Sequence, residues 1–375
     1  MELGIMFFSS AADSSNGGGK YRLLLEAARR ADELGFTAVW TPERHFHAFG
    51  GLYPSPAVVG AALAMVTRRL QIRAGSLISP LHHDIRIAEE WSIVDNLSDG
   101  RAAISFGSGW NVDDFVFFPE RYESRHALMY EQVATVRRLW RGETLVRENT
   151  YGRPVQVTLQ PRPVQPELPV WITSSGNVAT FVSAGVHGAN VLTHLIGQDL
   201  ATLAGKIERY REALARHHGP AARGRVSLML HTFLGTDVES VRAVVRDPFR
   251  AYLRSAIRLE QLAAEGGGTI SGGHRIAPHE ISPAALEELL DLAFERYWRQ
   301  GALFGTPASC EPLVGQLEEI GVDEIACLID FLDDADAVLA GLDHLDVLRA
   351  ACASSGGGGP AADAGALPAF LEALE

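Results

Sequence analysis

Cysteine is scarce in this chain: Cys310, Cys327 and Cys352 are the only three in 375 residues, and no two are spaced as metal ligands. That excludes a disulfide framework or a thiolate zinc site and predicts unpaired thiols in a reducing cytoplasm. Basic charge is in deficit as well, with 33 Lys and Arg against 46 Asp and Glu and a net charge of −13. A phosphate backbone needs a basic face, so nucleic acid is not expected as a partner. No apolar run reaches the ~20 residues of a membrane-crossing helix. The opening "MELGIMFFSS" lacks a basic region before its apolar residues, so neither a membrane span nor a secretory leader is predicted.

Several chemical signatures are missing too. "FFSSAADSSNGGGK" does not fit G-x-G-x-x-G, and Lys20 is followed by Tyr21 where a P-loop has Ser or Thr. No G-x-S-x-G follows a strand, which leaves nucleophilic serine chemistry without support. His45 and His47, with His82, His83 and Asp84, do not form the three or four convergent ligands of a divalent metal site, and no metal is expected.

What the chain does have is alternation. Apolar strands are predicted at 3–8, 38–40, 70–78, 102–106, 170–173, 191–192, 226–234 and 324–329, with helical sequence following. In "KYRLLLEAARRADELGF", Leu24, Ala27, Ala28 and Ala31 share a face, and Gly35 stands where a helix C-terminus favours a residue without Cβ. Pro56 opens a second helix to Thr67. Ile87, Trp91 and Val94 mark a third, and a further helix covers 125–140. Eight such pairs over 1–353 predict one α/β domain, a closed (β/α)8 TIM barrel, rather than a doubly wound sheet. It carries two insertions. One, at about 144–169, is proline-rich and hairpin-like; the other, at about 263–283, is glycine-rich and suits a lid. Residues 354–375 read as a flexible Gly/Ala-rich tail.

In a barrel the chemistry gathers at the C-terminal strand ends. The run "TPERHFH" after the second strand puts Glu43, Arg44 and His45 there. Glu43 and Arg44 are open to two readings, a buried ion pair or catalytic groups; Arg44 cannot be a base but can orient a carbonyl or carboxylate. His45 can move protons near neutral pH, as can His83. "FGSGW" and "TSSGN" end neighbouring strands with small residues before helices, and such turns can cradle a phosphate, although Ser and Asn are also ordinary helix caps.

Taken in order, "GFTAVWTPERHF", "GRAAISFGSGWNVDDF", "LPVWITSSGN" and "GTPASCEPLVGQLEEIGVDEIACLIDF" resemble the bacterial luciferase-like flavin monooxygenases, from Met1 to about Ala351. "WTPERHFH" and "ANVLTHL" are most similar to the mupirocin-type branch beside polyketide and nonribosomal-peptide assembly lines. The resemblance implies a luciferase-like barrel that takes reduced FMN from a separate reductase and uses dioxygen to oxygenate a small-molecule or carrier-protein-bound intermediate, commonly as a homodimer. It implies a flavin ring against Gly75 and Ser76, joined by a cis peptide, and a phosphate near Gly107, Ser108, Arg125, Ser175, Gly176 and Thr180. Two departures matter. Luciferases have an arginine where this chain has Ser108, and a catalytic histidine where it has Arg44. Deazaflavin-dependent hydride transfer and flavin binding without catalysis are the alternatives on the same barrel.

Overall fold

The computed structural model describes residues 1–8, 20–265 and 282–355. Within these, β1 (Glu2–Met6) leads to α1 (Arg22–Leu34), β2 (Ala38–Thr41) to α2 (Pro56–Ala64), β3 (Gln71–Ile78) to α3 (Asp84–Ser98), and β4 (Ala102–Gly107) to α4 (Arg125–Arg141). An antiparallel hairpin, β5 (Leu145–Glu148) and β6 (Pro154–Val157), then departs from the rhythm. It resumes with β7 (Val170–Thr173), α5 (Val178–Val186), β8 (Asn190–His194), α6 (Leu200–His218), β9 (Val226–Leu234) and α7 (Val238–Glu265). After α8 (Pro283–Gln300) come β10 (Ala302–Gly305), α9 (Pro307–Glu319), β11 (Glu324–Leu328) and α10 (Ala335–Ser355).

Eight parallel strands close on themselves in the order β1-β2-β3-β4-β7-β8-β9-β11, with β11 returning to β1. This is the expected (β/α)8 barrel. The insertion at 144–169 contains the hairpin, whereas the glycine-rich lid segment falls almost wholly outside the described residues. So do most of the tail and the loop at 9–19. One strand was not anticipated: β10 pairs in parallel with the C-terminal half of β9, from Ala302–His231 to Gly305–Leu234.

The helices pack as their periodicity requires. Leu24, Ala27, Ala28 and Ala31 of α1 are buried, and Gly35 ends the helix at φ 86°. Ile87, Trp91 and Val94 of α3 are buried as well. α2 stops at Ala64, three residues before the expected Thr67, whose hydroxyl donates to the Leu63 carbonyl.

The barrel interior is not wholly apolar. Glu324, at the start of β11, accepts from Arg73 Nη1 at 2.7 Å, Trp40 Nε1 at 3.1 Å and Ser227 Oγ at 3.1 Å. Trp171 Nε1 donates to the same Ser227 hydroxyl. The Arg73 guanidinium lies 4.6 Å from the Trp40 ring centroid and 4.4 Å from that of Trp171. The donors that meet Glu324 and the Arg73 guanidinium are answered, which is the condition for burying an ion pair without large cost.

Candidate active site

Past Thr41, Pro42 cannot donate to the sheet ladder, so β2 ends and the chain turns across the barrel mouth. The next side chain, Glu43, is wholly buried. Its Oε1 accepts from His45 Nε2 at 2.9 Å and His82 Nε2 at 2.6 Å, and its Oε2 from the Ile78 amide at 2.7 Å. Burial opposes ionisation of Glu43, but the hydrogen bonds from His45, His82 and Ile78 outweigh it and bring the pKa below the ordinary carboxylate value. Burial likewise opposes a charge on His82, and its bond to Glu43 prevails, raising its pKa. With Glu43 ionised, both Nε2 atoms carry hydrogen, which leaves each Nδ1 to exchange a proton.

Glu43 and His45 line a cavity of about 220 Å3 at the C-terminal ends of the strands. Glu43, Arg44, His45, Gly75, Ser76 and Ser175 all line it, so the ends of β2, β3 and β7 converge there as expected. The Gly75–Ser76 peptide is cis. Apolar side chains, among them Met6, Phe8, Ile78, Leu192 and Met229, make most of the remaining wall. Water in such a site is poorly held, which strengthens every polar interaction inside.

Three cavity groups, Asp114, His194 and Thr193, were not among the expected site residues. Asp114, in a 3-10 turn after β4, is pushed up to about 6, chiefly by burial, although Asn111 Nδ2 donates to it at 2.8 Å. His194, at the end of β8, is held down to about 4 by burial and the charge of Lys206, and its Nδ1 accepts from the Ile196 amide. A neutral His194 therefore keeps its hydrogen on Nε2 and can donate it. Thr193 Oγ1 and Arg44 Nε are buried without a hydrogen-bond partner. His82, which reaches the site through its bond to Glu43, was not among the expected site residues either.

Other expected residues lie elsewhere. His83 does not join Glu43; more than half exposed, it caps α3 by accepting from the Ile85 amide and sits 2.9 Å from Asp84. Arg44 is not paired with Glu43, whose acceptors are taken by the two imidazoles and Ile78. Gly107 and Ser108 do not line the cavity, and Gly107 packs so closely that a Cβ there would reach 3.1 Å from Ile78 Cδ1 and 3.3 Å from Ser76. Arg125 Nε donates to Gly109 O at 3.0 Å and Nη1 to Tyr122 O at 2.7 Å, so this arginine braces the turn that carries Trp110. Thr180 lies in the first turn of α5.

Gly176 sits beside a lysine that sequence reading passed over. Lys206, on the buried face of α6, donates to Gln198 Oε1 at 2.6 Å. Gly176 adopts φ 107°, and a Cβ on it would come to 3.3 Å from Lys206 Nζ. The sequence held a signal for this residue: Leu203, Lys206, Ile207 and Tyr210 share one helical face, and a lysine on an apolar face calls for a partner.

A closed parallel barrel with an apolar, histidine-bearing cavity at its C-terminal rim defines a (β/α)8 enzyme. A profile for luciferase-like monooxygenases matches residues 1–324, and the chain belongs to that family. It is 25% identical over 321 residues to the oxygenase component of the flavin-dependent trigonelline monooxygenase of Acinetobacter baylyi, with 83% of each chain covered. The fold matches that of the monooxygenase RslO1 from Streptomyces bottropensis, with a TM-score of 0.73 and 22% identity over 94% of this chain and all of that one (100%). It also matches the oxygenating constituent of 3,6-diketocamphane monooxygenase of Pseudomonas putida, solved with FMN, with a TM-score of 0.72 and 17% identity, covering 92% of this chain and 96% of that one. An F420-dependent secondary alcohol dehydrogenase shares the fold as well, with a TM-score of 0.66 and 16% identity over 93% and 98%. Among the described residues, no helix is long and apolar enough to cross a membrane.

Proposed function

We propose that the chain is the oxygenase of a two-component system. It takes reduced FMN from a separate reductase and uses dioxygen to oxygenate an organic intermediate of polyketide or nonribosomal-peptide assembly, either a free small molecule or one presented on a carrier protein. The observation that carries the flavin reading is an apolar cavity lined by Gly75, Ser76 and Ser175, with Gly176 and the ammonium group of Lys206 next to that serine. Bound reduced flavin supplies the activation of dioxygen; the chain supplies position, polarity and dryness.

The residues fit such a nucleotide. With no Cβ at Gly176, Lys206 Nζ lies close against its backbone, and a phosphate oxygen at that edge can accept from the lysine. Ser175 and the first turn of α5, with Thr180, extend that cradle. Thr193 Oγ1, buried without a protein partner, offers a hydrogen bond to a ligand in the cavity. Gly75 and Ser76 present backbone to a flat ring, with Gly107 packed against Ser76 and Arg125 bracing the turn that carries Trp110. His45, coupled through Glu43 to His82, holds and returns the proton that the oxygenation displaces.

The test is anaerobic titration with reduced FMN, followed by mixing with oxygen. Reduced FMN is expected to bind, and its reoxidation to slow at least about tenfold relative to free flavin if the site excludes water. Lys206→Met should weaken FMN by about 1.5–3 kcal/mol, the worth of a charge-assisted hydrogen bond, while riboflavin binding stays the same. Equal loss for both ligands would move the phosphate elsewhere. Deazaflavin hydride transfer is the second reading, favoured by the F420-dependent structural neighbour; tight binding of reduced deazaflavin and none of FMN would establish it. Flavin binding with no product from any oxygenated substrate would mark a binding protein.

A further inference from the structure

Among the described residues, the cavity contains a cation without a paired carboxylate. Arg44 follows Glu43 on the β2 loop and lines the cavity, yet no described carboxylate oxygen lies within 4.0 Å of its guanidinium, and its Nε has no hydrogen-bond partner. The nearest acids are otherwise engaged. Asp330 accepts the Phe8 amide through both oxygens, at 2.9 and 3.0 Å, and Asp114 accepts from Asn111.

The side chain is also fixed. Its guanidinium carbon stands 4.1 Å from the Phe8 ring centroid and 5.1 Å from that of Phe49. Gly50, at φ 72°, leaves the space its stem fills: a Cβ there would fall 2.3 Å from Arg44 Cδ and 2.8 Å from the Phe8 carbonyl. The backbone amide of Arg44 donates to Tyr53 O at 2.9 Å. A guanidinium stays protonated even when burial disfavours the charge, so a planar, oriented cation faces an apolar space. Burying it unpaired is costly, and a ligand that arrives with the matching charge recovers that cost.

We infer that Arg44 seats the carboxylate of the organic substrate, so that the enzyme acts on acids with an apolar, ring-bearing or acyl body rather than on neutral compounds. The inference rests on the oxygenase reading for what happens next, but not for the binding itself. The planar fork meets a carboxylate through two parallel N–H···O bonds, and the rings of Phe8 and Phe49 exclude water around the pair. One other planar anion has the same chemistry, the pyrimidine edge of the reduced flavin ring, and the experiment separates the two.

Flavin-free protein is titrated by isothermal calorimetry with matched acid and primary-amide pairs on benzoyl, cinnamoyl and decanoyl bodies. At least one acid should bind about tenfold or more tighter than its amide, and Arg44→Met should cut that preference to within about twofold. Arg44→Lys, which keeps charge but not the fork, should retain an intermediate preference. No acid outbinding its amide in the wild type, or an undiminished preference in Arg44→Met, overturns the inference. If Arg44→Met does not fold, Arg44→Gln and the wild-type preference decide. In a second arm, reduced FMN affinity should change less than about threefold in Arg44→Met; a loss of about tenfold or more gives the cation to the flavin and overturns the substrate role. Failure of the wild type to bind reduced FMN would refute the flavin reading alone, because the acid–amide comparison contains no flavin.

Discussion

Replacing Glu43 by Gln tests whether the carboxylate organises the barrel mouth. The wild-type side chain receives three hydrogen bonds, two at Oε1 from His45 and His82 and one at Oε2 from Ile78. An amide has one oxygen, so in either orientation its NH2 faces at least one former donor. Losing one or two charge-assisted bonds in a buried setting costs about 3 kcal/mol, within the range for a broken buried ion pair. In thermal unfolding that corresponds to a fall of roughly 4 °C for a chain of this size. The pH dependence is more specific. Glu43 is lowered from 4.5, so its share of stability is present above that value and disappears as pH falls through the folded pKa. His82 is raised from 6.5, so its share is complete below 6.5 and fades as pH rises through the folded pKa. The deficit of Glu43→Gln should therefore be greatest between about pH 5 and 6.5 and shrink at more alkaline pH. The assay is chemical denaturation from pH 5 to 9, with His82 titrated by NMR in both proteins. A deficit that is flat across this range, together with an unmoved His82 titration, would refute the coupling.

Asp114→Asn should stabilise the protein above pH 6 by about 2 kcal/mol, because a carboxyl whose pKa burial lifts to about 6 destabilises the fold once ionised. Denaturation at pH 4 should show no such gain, and equal gains at pH 4 and 8 would exclude the assigned cause. Glu324→Gln leaves Arg73 charged in the barrel interior and should cost about 3–5 kcal/mol; the pair replaced as Arg73→Met with Glu324→Leu should recover much of it, as read by urea midpoints. His45→Ala should slow product formation while FMN affinity stays within about threefold, since the imidazole bonds to Glu43 and not to the phosphate cradle. Unchanged turnover would remove His45 from the reaction.

Much of this was legible because the barrel imposes a rhythm that apolar runs disclose. The strand ending in Trp40, the cap at Gly35 and the hairpin within 144–169 all follow from local sequence. β10 escaped because four residues, "ALFG", between a helix and a Thr-Pro turn are too few to display a period. The choice between His82 and His83 was not local either. The 3-10 turn at Ser79–Leu81 sets which of two adjacent imidazoles points inward, and His83 is then drawn to the exposed amides at the start of α3. Asp113 and Asp114 present the same ambiguity: only the turn's register decides which becomes buried. Lys206 was legible in principle, from its helical face, but its relation to Gly176 needs the third dimension.

Two of the buried carboxylates, Glu324 and Glu43, are each answered by three hydrogen-bond donors, and their difference separates scaffold from chemistry. Glu324 lies at the N-terminal end of β11, and its donors are a guanidinium, an indole and a hydroxyl, none of which changes protonation near neutral pH. Trp40 and Trp171 cover its arginine on two sides. Nothing there can move a proton, so the layer acts on stability and closure alone. Glu43 stands at the opposite, C-terminal end of β2, and two of its three donors are imidazoles beside a cavity. The same electrostatic solution, a carboxylate answered by three donors, becomes a proton store once its donors titrate and its surroundings admit a ligand. Substitutions at the first layer should therefore shift unfolding midpoints without altering the pH profile of turnover, whereas substitutions at the second should alter both.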